Sequence, residues 1–264
     1  MHEQEAEAHG FCCIYQRVDL ERLSLSVDAL PELVTAAGRM GFAGLNLTHP
    51  CKQAALPLLT DLSDDARAIG SVNTLVFDGN RRVGHNTDWS GFRQSLIDGL
   101  PNAPLGRIVQ VGAGGAGAAT AYAALRLGAR ELIIVDTVNE RARALSSRFA
   151  RMFSRSVRPA SDLAMALEGA DGLIHATPTG MRGHPGLALP ASLLRADLWV
   201  AEVVYVPIET ELLCAARRIG CRTLDGSGMA VRQAVDAFKL FTGLEANPER
   251  MRASFESFTP ELER

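Results

Sequence analysis

The chain has 264 residues, 47% of them hydrophobic and 22% charged, which is close to the globular average and enough for one large domain or two ordinary ones. A net charge of −3 with no basic block argues against a nucleic-acid or membrane-surface partner. Five cysteines, odd in number and without Cys-x-x-Cys spacing, argue against a disulfide framework or a zinc site and fit a reducing cytoplasm.

The acidic opening Met1-His2-Glu3-Gln4-Glu5-Ala6-Glu7 has no apolar core and is not a signal peptide. Residues 2–10 read as a helix stopped by Gly10, and the alternation from Phe11 to Val18 predicts a short strand. Ser26 to Met40 is an amphipathic helix with Leu30, Leu33, Val34 and Ala37 on one face. Phe42 to Leu47 reads as a buried strand, Lys52 to Leu59 as a helix, and Ala66 to Gly70 as the end of another. Val72 to Phe77 is a strand that turns at Asp78-Gly79-Asn80 and pairs back through Arg81 to Gly84. A helix follows from Thr87 to Gly99. The Pro101-Asn102-Ala103-Pro104 stretch is the best linker, and the domain boundary is placed there, between residues 1–103 and 104–228. Helices are expected at Asn139–Arg151, Asp162–Gly169 and Glu209–Ile219, and strands near Val157, at Gly172–Ala176, Leu198–Val203 and Arg222–Leu224. Two helices, from Met229 to Thr242 and from Pro248 to Ser257, close the chain, with residues 229–264 expected to return to the first domain. Strands alternating with helices throughout predict an α/β fold with a parallel sheet covered on both faces.

The stretch from Ile108 to Asp136 is the most informative. It reads as strand, glycine turn, alanine-rich helix and second strand ending on an acid. Gly112-x-Gly114-x-x-Gly117 follows an apolar run and opens a helix, the context that a dinucleotide fingerprint requires. Gly112 permits the tight turn, Gly114 lets backbone approach a pyrophosphate, and Gly117 lets helix and strand sit close, while the helix N-terminus favours phosphate. Asp136 lies about twenty residues on, where a carboxylate accepts both ribose hydroxyls and repels a 2′-phosphate, so NAD is read over NADP. Arg141 and Arg143 pull the other way, since an arginine accommodates that phosphate. The bland alternative is a packed Gly/Ala helix between two buried strands. A membrane span is rejected: residues 108–125 carry no charge, but they hold four glycines and a glutamine and are mostly alanine otherwise.

Three polar segments in the first half follow apolar strands, where open α/β sheets bind ligands: Asn46 to Lys52, Val72-Asn73-Thr74, and Gly84 to Asp88. Lys52 and Asp88 are the candidate catalytic pair. A lysine among apolar neighbours loses solvation, which lowers its pKa toward the range useful in proton transfer. The bland reading is a solvated lysine at a helix start and an N-cap aspartate. His49, His85 and His184 lack metal-ligand spacing and read as loop or packing residues, so no metal is expected. Gln233 alone reads as a helix-surface residue.

These segments, in this order, resemble the shikimate dehydrogenase family over almost the whole chain. The family's Asn-Val-Thr-x-Pro-x-Lys appears as Asn46 to Lys52, its Ala-Val-Asn-Thr as Ser71 to Thr74, and its Gly-x-Asn-Thr-Asp as Gly84 to Asp88. Its Gly-Ala-Gly-Gly-Ala turn is Gly112-Ala113-Gly114-Gly115-Ala116. Asn-Ala-Thr-Pro-x-Gly-Met appears as His175 to Met181 with His175 for Asn, and Asp-x-x-Tyr-x-Pro as Glu202 to Pro207 with Glu202 for Asp. Gly228-Met229, Gln233-Ala234 and Phe241-Thr242-Gly243 also match. The sequence is most similar to the NAD-dependent quinate/shikimate branch, in which Asp136-Thr137-Val138 follows the second strand, and aminoshikimate-pathway relatives share much of this pattern.

The resemblance implies a Rossmann-type doubly wound parallel-sheet domain plus a smaller α/β substrate domain completed by the C-terminal helices. It implies NAD-linked interconversion of shikimate and 3-dehydroshikimate, or of quinate and 3-dehydroquinate, on a small cyclitol carboxylate. Lys52 and Asp88 are then catalytic, with Lys52 shuttling the hydroxyl proton, and Thr48, Asn73, Asn86, Tyr205 and Gln233 hold the substrate. Gly112 to Ala116, Asp136, Arg141, Thr177, Pro178, Val203, Gly226 and Met229 are the expected cofactor contacts. The family opens with a strand leading into Ser-x-Ser-Pro or Ser-x-Thr-Pro and then Met-His-Asn or Met-His-Glu, whereas this sequence starts at that Met-His-Glu. The expectation is either a start further upstream or an impaired form, because each lost hydroxyl donor to a carboxylate costs about 1.5–3 kcal/mol. A second reading, an NAD-binding protein without turnover that acts as a ligand-responsive partner, stands beside the enzyme. Composition leaves the oligomeric state open.

Overall fold

Two sheets carry the fold in the computed structural model, which describes the backbone of residues 1–262 and the side chains of residues 1–258. The chain packs into two units, residues 1–87 with 231–258, and residues 88–230. The Asp88–Gly99 helix groups with the second unit. So does the Pro101–Pro104 stretch, where the boundary is expected: Arg222 donates to the Pro101 carbonyl at 2.8 Å and the Trp199 indole to the Pro104 carbonyl at 2.9 Å.

The first unit holds strands β1 (Gly44–Asn46), β2 (Asp61–Leu62), β3 (Thr74–Asp78) and β4 (Arg81–His85), in the order β1-β3-β4-β2. β1 and β4 run antiparallel to β3, and β2 runs parallel to β4. This sheet is therefore mixed, and its β3–β4 pair is the hairpin expected at Asp78-Gly79-Asn80. The Asp78-Gly79-Asn80 turn, with Gly79 at φ +58°, is too short for a crossover and forces the antiparallel hairpin. Leu30, Val34, Leu47, Ala66, Val72 and Leu75 form the core beneath it. The C-terminal helices belong to this unit for a packing reason. A Cβ on Gly44 would lie 2.4 Å from the Phe241 ring, so β1 and the Ser227–Thr242 helix touch only because position 44 is glycine. The Pro248–Leu262 helix is held by Glu5, fully buried, which accepts Arg250 Nε at 2.6 Å, Arg250 Nη2 at 2.8 Å and the Asn247 N–H at 2.7 Å. A buried carboxylate requires such partners.

Two predicted elements differ. Phe11 to Val18 forms no strand: Ile14 and Val18 are 79% and 51% exposed, the Tyr15 N–H goes to Glu3 Oε1, and its hydroxyl donates to Asn46 Oδ1, both at 2.9 Å. Alternation gives a segment a face, but a strand also needs its backbone groups in a ladder, and here the Tyr15 N–H goes to a side chain instead. The helix expected from Lys52 to Leu59 is a short α-helix, Cys51–Ala54, and a 3-10 turn, Leu56–Leu58, because Pro57 has no N–H to continue the ladder.

The second unit is a six-stranded parallel sheet of β5 (Arg107–Val111), β6 (Glu131–Val135), β7 (Ser156–Ala160), β8 (Gly172–His175), β9 (Trp199–Glu202) and β10 (Thr223–Leu224). Its order is β10-β9-β8-β5-β6-β7, so the winding reverses between β5 and β8. That is the doubly wound order, in which a ligand lies beyond the strand C-termini at the reversal. Central strands are buried on both faces and read as near-continuous aliphatic runs, as Leu132, Ile133 and Ile134 do. The uncharged run 108–125 is divided into β5, a turn and the Gly115–Leu127 helix, and among the described residues no helix is long and apolar enough to cross a membrane.

Candidate active site

The glycine turn sits at the C-terminus of β5, at the reversal of the sheet. Gly112 is at φ +107°, and a Cβ there would lie 2.4 Å from the Ala176 carbonyl oxygen, so both its conformation and its packing require glycine. A Cβ on Gly117 would lie 2.3 Å from the Gly112 oxygen, whereas one on Gly114 would meet nothing within 4 Å. The backbone at Gly114 is thus open to a close-approaching group, at the start of a helix whose first N–H groups have no intrahelical acceptor. This is the shape and polarity that a dinucleotide pyrophosphate needs.

Gln110, fully buried, clasps the turn from behind. Its amide donates to the Gly112 carbonyl at 2.8 Å and the Gly117 carbonyl at 2.7 Å, and its oxygen accepts the Thr120 hydroxyl at 2.9 Å. Sequence reasoning passes over Gln110 as one polar residue in an apolar run, yet a lone amide in a buried strand is a signal that something there needs hydrogen bonds. Asp136, next after β6, reaches the same turn: Oδ2 accepts the Ala113 N–H at 2.7 Å and Oδ1 the Val138 N–H at 2.8 Å. Its remaining lone pairs can accept ribose hydroxyls.

Of the other expected cofactor contacts, Thr177 and Pro178 follow β8, and a Cβ on Gly112 would lie 3.0 Å from Thr177 Cγ2. Val203 follows β9, and a Cβ on Gly226 would come within 2.5 Å of the Val203 and Val204 oxygens. Met229 is buried, whereas Arg141 is exposed on the Asn139–Met152 helix. Among the described residues no group of three His, Cys, Asp or Glu could hold a metal ion.

In the first unit the three polar segments are stitched together by backbone. The Leu47 N–H donates to the Asn73 carbonyl at 2.7 Å, the Asn73 N–H to the His85 carbonyl at 3.1 Å, and the Val72 N–H to the Lys52 carbonyl at 3.0 Å. Asn73 is the hub. Its Oδ1 accepts the Thr87 N–H at 2.7 Å and the Thr74 hydroxyl at 3.2 Å. Its Nδ2 donates to Thr87 Oγ1 at 2.9 Å and to Gln233 Oε1 at 3.4 Å. Asn86, also buried, donates to the Ser71 carbonyl at 2.9 Å. Gln233 is therefore half-buried against Asn73, not a helix-surface residue. Lys52 is half-buried and Thr48 exposed in the same unit. Burial lowers the pKa of the neighbouring His85 below its usual value. Asp88 and Tyr205 belong to the second unit, with Asp88 buried at the head of its helix directly after Thr87 and Tyr205 44% exposed.

Residues 1–75 match the shikimate dehydrogenase substrate binding domain, and residues 226–254 the shikimate 5′-dehydrogenase C-terminal domain. The chain is 54% identical to the shikimate dehydrogenase (NADP(+)) of Streptomyces avermitilis, over 96% of this chain and 88% of that one. It is 49% identical to the quinate/shikimate dehydrogenase (NAD(+)) of Corynebacterium glutamicum, over 97% and 92%. The solved quinate dehydrogenase from Corynebacterium glutamicum in complex with NAD superposes with a TM-score of 0.86 at 48% identity, covering 97% of this chain and 92% of that one. Together with the turn, the sheet order and the Asn73 hub, these likenesses place the chain in the shikimate dehydrogenase family.

Proposed function

We propose that this protein is an NAD-dependent dehydrogenase that interconverts shikimate with 3-dehydroshikimate, or quinate with 3-dehydroquinate. The observation that carries the reading is the pairing of a glycine turn open at Gly114 with the Asp136 carboxylate beside it, in a chain that shares about half its residues with shikimate and quinate/shikimate dehydrogenases. Bound NAD supplies the hydride acceptor. In this reading the residues of the chain do the rest. The N–H groups at the start of the Gly115–Leu127 helix receive the pyrophosphate, and Asp136 receives ribose hydroxyls. Thr48, Asn73, Asn86, Tyr205 and Gln233 hold the ring hydroxyls and carboxylate. Lys52 and Asp88 assist transfer of the hydroxyl proton, as a positioned acid–base pair does.

NAD rather than NADP follows from Asp136, because a 2′-phosphate would meet a carboxylate. The relative at 54% identity is named for NADP(+) and the one at 49% for NAD(+), so overall likeness does not rank the cofactors and the residue at the ribose does. The five cysteines, all free thiols, support a reducing cytoplasmic setting. Initial rates with shikimate and with quinate, each with NAD and with NADP, test the reading through absorbance of the reduced cofactor. Turnover with NAD is expected. Absence of turnover on both substrates, with NAD binding intact by calorimetry, would favour the ligand-responsive binding protein instead.

A further inference from the structure

The second half of the parallel sheet buries a polar group that the turnover scheme does not use. His175 ends β8 and Glu202 ends β9; they are paired in register and are 0% and 1% exposed. His175 Nδ1 lies 2.8 and 2.9 Å from the two carboxylate oxygens of Glu202. An ionised carboxylate only accepts, so Nδ1 is the donor and the ring has a single orientation. Glu202 Oε1 also accepts the N–H groups of Val203 at 2.8 Å and Val204 at 3.0 Å. Its Oε2 accepts the Thr210 hydroxyl at 3.1 Å, and Thr210 in turn caps the Glu211–Ile219 helix. At the far edge of the ring, Nε2 meets Thr177 Oγ1 at 2.5 Å, and that oxygen accepts the Thr179 N–H at 3.2 Å. A buried carboxylate with four donors and an imidazole with both nitrogens engaged make a closed network, which rigidifies what it touches.

It touches two turns. One, from Ala176 to Gly180, seats its Ala176 carbonyl on Gly112. The other, from Val203 to Thr210, seats the Val203 and Val204 carbonyls on Gly226. A doubly wound sheet takes one mononucleotide on each half. The β5–β7 half carries the glycine turn and Asp136, so the turns after β8 and β9 belong to the other mononucleotide, the nicotinamide one. A hydroxyl has one donor and two acceptor directions, and two of those on Thr177 are occupied by His175 and Thr179, which leaves one to face a ligand. The two departures from the family's motifs, His175 and Glu202, thus fall on one contact and form a single coupled feature.

We propose that His175 and Glu202 are positioning residues for the nicotinamide half of the dinucleotide: the pair sets the shape of both turns and aims the Thr177 hydroxyl. This rests on the dinucleotide reading above. Calorimetric titration of the full chain with NAD and with ADP, which lacks the nicotinamide half, tests it. His175→Ala and Glu202→Gln should each weaken NAD binding about tenfold, the loss of one charge-assisted hydrogen bond, with ADP bound as by wild type. Thr177→Val keeps the His175–Glu202 contact while removing the hydroxyl on Nε2, and should also weaken NAD selectively, which keeps the test decisive if either buried variant fails to fold. The double variant H175N/E202D should lose less than the sum of its single variants, because the two act as one unit. Equal losses for NAD and ADP, an unchanged NAD affinity in the folded variants, or strictly additive losses would overturn the proposal. A wild-type chain that binds neither NAD nor ADP would instead overturn the dinucleotide reading itself.

Discussion

Replacing Asp136 by alanine separates two jobs that the carboxylate performs. The first is structural. Its oxygens accept the Ala113 and Val138 N–H groups at 2.7 and 2.8 Å, and a hydrogen bond to a charged group contributes about 1.5–3 kcal/mol. Val138 is exposed, so water replaces part of that loss, and D136A should destabilise the protein by about 1–3 kcal/mol. This loss loosens the turn for either cofactor and cancels in a ratio. The second job is selection. A carboxylate about 4 Å from a 2′-phosphate is repelled by about 4 kcal/mol per unit charge at an effective dielectric of 20, and by about 1 kcal/mol in full solvent. Asp136 is half-buried, between these limits. Removing it also deletes hydrogen bonds to the NAD ribose. Both changes move the balance toward NADP, so the NAD-to-NADP ratio of kcat/KM should fall by at least about tenfold, or 1.4 kcal/mol. Initial rates with each cofactor at saturating shikimate or quinate measure it, with thermal unfolding recorded beside them. An unchanged ratio in a folded variant would refute the role of Asp136 and leave the exposed Arg141 and Arg143 as the residues to examine.

Other outcomes follow from the same geometry. Lys52→Ala should abolish turnover and leave NAD affinity unchanged, and simultaneous loss of both would assign Lys52 a folding role. Gly117→Ala places a Cβ 2.3 Å from the Gly112 oxygen, so calorimetry should show loss of dinucleotide binding and unfolding should show a penalty of about 1–3 kcal/mol. Stability should also fall in acid. Burial chiefly, with the adjacent terminal amine, lowers the His2 pKa from 6.5 to about 4, so the unfolded chain takes up a proton that the folded chain refuses. Stability is full above pH 6.5, declines through that window and levels below about 4, for a total of about 3 kcal/mol. The Arg250 hydrogen bond holds the Glu5 carboxyl below its usual range, and this contribution is likewise present above the unfolded value of 4.5 and lost below it. Denaturant titrations across pH should show the decline between pH 6.5 and 4, and His2→Phe should flatten it.

The glycine turn, the acid after the second strand and the succession of strands and helices were legible in the sequence because each is specified locally. Gly112 and Gly114 are fixed by the chemistry of a turn a few residues long, and β6 announces itself by the aliphatic run from Leu132 to Val135. Motif order carried the family and named Lys52, Asn73 and Asp88 as a group. Neighbours distant in sequence decided the rest. Phe11 to Val18 has the alternation of a strand but joins no ladder, and the hairpin of β3 and β4 is completed into a sheet by β1 and β2, which lie far from their partners in sequence. Gln233 looked like surface until Asn73, 160 positions away, came within 3.4 Å. His175 and Glu202 read as two separate departures from a pattern, and only the parallel register of β8 and β9 turns them into one buried contact. Local conformational preference writes elements into the sequence, but which buried polar groups meet depends on strand order and register, and those are properties of the whole packed chain.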